Sequence, residues 1–229
     1  MNKTQIASLL AGTMATAILG FAAPVMAQNA TMSSNASWLT SEFNSRYQSR
    51  LQLAEDIARI HMRSQYPSVI VSDMMGQEQM TAEDREQFLT AIDPVFASAA
   101  ERASNELKSK VQQYGWDGLS QAGSYVMGLA FDIVIESPDE AFRRASLTAF
   151  EPLARDEIIN PYTFAFFYDD VMVTNGEAQR WGTQGQCMNG RWEIAPVEDQ
   201  ANLDARRQHI GMSSLADTIT EESEYCAAN

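Results

Sequence analysis

Between residues 179 and 207 the sequence gathers two amides, a hydroxyl, a carboxylate and three guanidiniums: Gln179, Arg180, Thr183, Gln184, Asp199, Arg206 and Arg207. Arginine and amide side chains in such company suit bidentate hydrogen bonding to a carboxylate or a sugar. They equally suit a buried network that satisfies itself, because unpaired buried polar groups are costly. Acid-base chemistry is the other possibility, with Glu198, Asp199 or Glu136 acting as a base near Arg180. No Gly-x-Ser-x-Gly elbow, His-Glu-x-x-His helix, phosphate loop or Gly-x-Gly-x-x-Gly run is present. No catalytic residue, enzyme class or cofactor is therefore assigned.

Cys187 and Cys226 are the two cysteines, and His61 and His209 the two histidines. Cysteines 39 apart and histidines 148 apart give no zinc spacing, so no metal site is expected. A disulfide is the first reading of the pair, and an activated nucleophilic cysteine the second. The bridge would enclose about forty residues and contribute on the order of 3 to 4 kcal/mol in the chain-entropy model.

The compartment follows from the N-terminus. Lys3, an apolar stretch from Ile6 to Phe21 and the small-x-small step Val25-Met26-Ala27 read as a signal peptide over residues 1–27, and an uncleaved anchor is the alternative. A polar lead-in follows at 28–36, then a single globular domain at 37–229. Of the 229 residues, 202 would remain, enough for a real core, and the charge would move from -14 to -15 with the loss of Lys3. That acidity disfavours nucleic acid as a partner. No membrane span is expected after cleavage, and the location is periplasmic or secreted. The partner is an unknown small polar ligand or a protein.

These side chains must be held by a mainly helical α+β domain. Apolar residues from Leu39 to Ala58 recur at three and four residues, giving a long helix to about Gln65, ahead of Pro67, with His61 near its end. Residues 68 to 80 read as a loop with one short extended piece. Thr81, with Glu83 and Asp84 after it, starts a helix, and Asp93-Pro94 starts another that ends at Gly115. A central buried helix is expected from Ser120 to Ile135. A further helix opens at Ser137-Pro138-Asp139-Glu140 and runs through about Arg155, and Asn160-Pro161 opens a short aromatic segment, Tyr162 to Tyr168.

After Asp170 the pattern turns to strands. Asn175-Gly176 and Asn189-Gly190 each sit between extended runs, which predicts two hairpins sharing a middle strand, a three-stranded antiparallel meander at about 170–195. Gly182 and Gly185 would bend that strand. The expected fold is a helical bundle packed on this meander, with C-terminal helices opening near Glu198-Asp199 and Ser213. Arg206 and Arg207 point about 100 degrees apart, so one of them reaches the sheet or Asp199.

The runs Tyr168-Asp169-Asp170-Val171-Met172-Val173, Gln179-Arg180-Trp181-Gly182-Thr183-Gln184, Pro196-Val197-Glu198-Asp199 and Asp204-Ala205-Arg206-Arg207 resemble a bacterial family catalogued as a domain of unknown function (number 6624). Tyr114-Gly115-Trp116 is similar to that family's Gly-Trp element. Trp181 stands where the family usually has Tyr, and Ile135-Glu136 where similar members carry Gln-His. The resemblance implies a fold and a polar cluster but no reaction. A noncatalytic binding or interaction domain is the favoured function, and a carboxylate-dependent hydrolase or transferase the alternative. The intact mass of the exported protein is expected to match a chain beginning at Gln28, and a species retaining residues 1–27 would exclude cleavage there.

Overall fold

The computed structural model describes residues 34–75 and 81–228, and the expected signal peptide lies outside them. The chain divides into two compact units, residues 1–44 and 45–229. The described part of the first, 34–44, is helical. Seven α-helices and one two-stranded sheet are found among the described residues. They are α1 (Ser34–Met75), α2 (Ala82–Ala122), α3 (Ser124–Ile135), α4 (Glu140–Arg155), α5 (Pro161–Thr174), β1 (Gly185–Met188), β2 (Arg191–Ile194), a 3-10 turn (Gln200–Asn202), α6 (Leu203–His209) and α7 (Leu215–Ala228).

Three helix starts follow their caps. The Thr81 side chain accepts from the Asp84 N–H in a reciprocal capping box, Asp139 accepts from the Phe142 N–H, and Asn160 accepts from Tyr162 and Thr163 ahead of Pro161. Two expected breaks do not occur. The loop expected at 68–80 is helical as far as Met75, α1 running through Pro67, and α2 runs through Pro94 with no new start there. An interior proline removes one helical hydrogen bond, at about 3 kcal/mol. The packed stripe Leu53, Ile57, Ile60 of α1, in one core with Ala103 and Leu107 of α2, outweighs that local preference. The break in α2 comes at Gly115, whose positive φ of 67° the sequence had marked as an end.

The core is helical and aromatic. Helix α3 buries nearly every side, through Val126, Met127, Leu129, Ala130, Phe131, Ile133 and Val134. Phe131 meets Phe150 at 5.0 Å and Phe167 at 5.5 Å, joining α3 to α4 and α5. His61 is not near a helix end as expected; its Nε2 lies 3.1 Å from Asp132 and ties α1 to α3.

The meander has two strands and not three. Asn175-Gly176 ends α5 in a Schellman motif, in which the Gly176 N–H bonds Val173 O and the Glu177 N–H bonds Met172 O. Gly176 takes its positive φ of 75° as a helix terminator, and Val171 to Thr174 are helical. Asn189-Gly190 does form the hairpin turn, with φ of 52° and 75°, and pairs Met188 with Arg191. Cys187 and Cys226 form a disulfide with Cα atoms 5.4 Å apart, fastening the end of α7 to β1.

Charged pairs lace the helices together. Lys110 donates to Asp56 at 2.6 Å and Lys108 to Asp139 at 2.7 Å, and these lysines hold both carboxyls below the ordinary aspartate value, against the opposing effect of burial. A carboxyl with a lowered folded value stabilises above the unfolded value, and that stability is lost as pH falls through the folded one. Melts of the wild type are expected to fall below about pH 4. Asp56→Asn is expected to flatten that acid limb, and an unchanged slope would exclude this contribution.

Candidate functional site

The polar cluster is built around a carboxylate that leaves the aromatic run of α5. Asp169 is fully buried, and its two oxygens accept the N–H groups of Arg180 (2.7 Å), Trp181 (3.1 Å) and Thr183 (3.0 Å) and the Thr183 hydroxyl (3.0 Å). Burial pushes its carboxyl above the ordinary value, while the backbone and hydroxyl donors pull the other way. The neighbouring Asp170 points elsewhere and accepts from Arg143.

The other side of the same loop is held by a cation. Arg207, 2% exposed, donates to the carbonyls of Trp181 (2.6 Å), Gly182 (3.2 Å) and Ser213 (2.8 Å) and to the Thr218 hydroxyl (2.5 Å). Burial lowers its guanidinium value. Residues 180–184 thus run between a buried anion that takes their N–H groups and a buried cation that takes their carbonyls.

Gln179 is equally enclosed. Its amide donates to Gln184 O (2.8 Å) and Ala195 O (2.9 Å) and accepts from the Gln184 N–H (2.8 Å), and its backbone pairs with Pro196 and Glu198. The Gln184 side chain turns to the Thr183 hydroxyl at 3.1 Å. Arg180 is the outward member of the loop: it donates to Glu198 (3.0 Å), Glu151 (2.7 Å) and the Tyr168 hydroxyl (2.7 Å). Arg206 reaches Asp199, as expected for one of the arginine pair, through Oδ2 at 3.2 Å and the backbone oxygen at 2.6 Å, and also donates to Arg180 O at 3.1 Å.

The structure therefore brings all seven predicted residues together, with the Arg180, Thr183 and Arg207 side chains bonded to residues outside the seven. Glu136 lies apart, accepting from Gln65 of α1. Gly182 and Gly185, expected to bend a strand, give room to the protein itself. A Cβ on Gly182 would lie 3.0 Å from the Ile194 side chain, and one on Gly185 would lie 2.5 Å from Glu193 O.

Beside this cluster lies a cleft of about 790 Å³ that the sequence did not reveal. Trp181 and Phe164 line it together with Pro152 and Ala154 of α4, Pro161 of α5 and Ala205 of α6. Trp181 meets Tyr168 edge-on at 5.3 Å and Phe164 at 6.2 Å, with the Arg180 guanidinium 5.1 Å from its ring, so its position is fixed from behind. Glu151, Glu157, Arg206 and His209 complete the walls.

Asp169 was missed as well. It stands in the Tyr168-Asp169-Asp170 run that carries the family resemblance but is not among the candidate site residues. A family model described as "Family of unknown function (DUF6624)" matches residues 70–226. No curated protein and no solved structure matches the chain.

Asp169→Asn puts an amide N–H against backbone donors and is expected to cost about 3 kcal/mol of unfolding free energy. Arg180→Ala removes partly exposed pairs, so a loss of about 1 kcal/mol is expected. Denaturant unfolding checks the order, and an Arg180→Ala loss equal to that of Asp169→Asn would contradict it.

Proposed function

The chain belongs to the DUF6624 family, whose description assigns no reaction, and we propose that this member is a noncatalytic binding module whose ligand enters the cleft over Trp181. The observation that carries this is the contrast between cluster and cleft. Most polar groups of the cluster are engaged within the chain, whereas the cleft, of drug-sized volume, sets an apolar surface of Trp181, Phe164, Pro152, Pro161 and Ala205 among charged and polar walls. Its ligand accordingly has an apolar body, with polar groups meeting the walls.

Catalysis by the carboxylates that the sequence offered as bases finds less support. Glu198 is bonded to Arg180, Asp199 to Arg206 and Glu136 to Gln65, and none of the three lines the cleft. Acid-base work requires two groups with separated pKa values in one cleft. The Cys187–Cys226 disulfide fits work in an oxidising compartment, which supports export by the segment 1–27. No helix among the described residues is long and apolar enough to cross a membrane.

The test uses the apolar anionic dye 1-anilinonaphthalene-8-sulfonate. Saturable binding to the native protein is expected, with loss of at least tenfold in affinity for Ala205→Trp, which fills the cleft from α6 at unchanged melting temperature. Equal dye affinity in that variant would overturn the assignment.

A further inference from the structure

The walls of the cleft are charged in opposite senses. The α4 side contributes Glu151, whose Oε1 takes the Arg180 guanidinium at 2.7 Å, and Glu157 on the turn that follows. That turn is fixed, with Glu157 at φ 55° and its N–H bonded to Ala154 O at 3.1 Å. Among the described residues the Glu157 carboxylate enters no ion pair. Arg155 also lies on this side, where its Nε turns to Asp156 at 3.2 Å and the two carboxylates outnumber it.

The α6 side contributes Arg206 and, three residues on, His209. Arg206 is held through Nε to Arg180 O, Nη1 to Asp199 Oδ2 and Nη2 to Asp199 O. A guanidinium carries five N–H groups, so one on each terminal nitrogen is left over after these three bonds. Two carboxylates against one guanidinium on the α4 side, and a guanidinium with an imidazole on the α6 side, form with the apolar surface of Trp181 and Phe164 a charge pattern with two ends.

Resting on the cleft being the binding site, we propose that its occupant is a small zwitterion with an apolar body: an aromatic amino acid or a short apolar peptide with both ends free. The ammonium meets Glu157 and Glu151, the carboxylate meets Arg206 and His209, and the side chains lie on Trp181 and Phe164. A ligand charged at one end only would leave the opposite wall facing apolar atoms, desolvated without a partner.

Calorimetric titration of the whole protein with the dipeptide Leu-Phe, with its N-acetyl form and with its C-terminal amide tests this. Leu-Phe is expected to bind, and blocking either end is expected to weaken binding at least tenfold. Glu157→Gln is expected to weaken Leu-Phe while leaving the N-acetyl form unaffected, and His209→Gln to weaken Leu-Phe while leaving the amide unaffected. Equal affinity for the three peptides, or no binding of Leu-Phe to a protein whose dye binding is blocked by Ala205→Trp, would overturn the zwitterion and leave the cleft standing. Failure of both probes would remove the cleft as well.

Discussion

A five-residue loop held between two buried charges of opposite sign is the constraint on which the C-terminal half depends. Asp169 takes three backbone N–H groups and Arg207 takes two carbonyls of the same stretch, so the intervening peptide groups carry the electrostatic contact between them. Among the described residues neither charge forms an ion pair with an oppositely charged side chain. Both stay buried because the loop supplies enough oriented dipoles to replace water. The course of the loop in turn sets where Gln179 pairs with Gln184 and Ala195, and so where the hairpin leaves the helical body.

This arrangement explains which parts of the fold could be read from the sequence. Caps were legible at Thr81 and Asn160, since a cap is a contact within three residues of its own position, whereas the start expected at Ser137-Pro138 falls two residues later, with Asp139 as the cap. Asn-Gly was legible as a reversal but not as a particular one. Both copies use glycine at positive φ, and the first closes a helix only because an N-capped aromatic run precedes it. Pro67 and Pro94 misled for the opposite reason: their local cost is real, and contacts tens of residues away override it.

The site was legible as a set of residues and not as a surface. Gln179, Arg180, Thr183, Gln184, Arg206 and Arg207 do converge, yet most of their partners are backbone atoms, which every sequence carries and no pattern announces. For the same reason Asp169 left little trace. The apolar part of the cleft is formed by prolines, alanines and Phe164 from three helices and by Trp181 from the loop, each ordinary in its own segment, and only the packing of α4, α5 and α6 with the loop brings them together.

A clamped loop also fixes how the molecule can move. Opening residues 180–184 would expose two charges at once, so small excursions are penalised and the segment stays closed until the surrounding structure opens. Trp181 rides on that segment, with its amide on Asp169 and its carbonyl on Arg207. The indole is thus presented to an incoming molecule already in its bound position, with little ordering entropy left to lose. Recognition at that surface proceeds by fit to a preformed shape, and its selectivity resides in the side chains of the walls and not in motion of the floor.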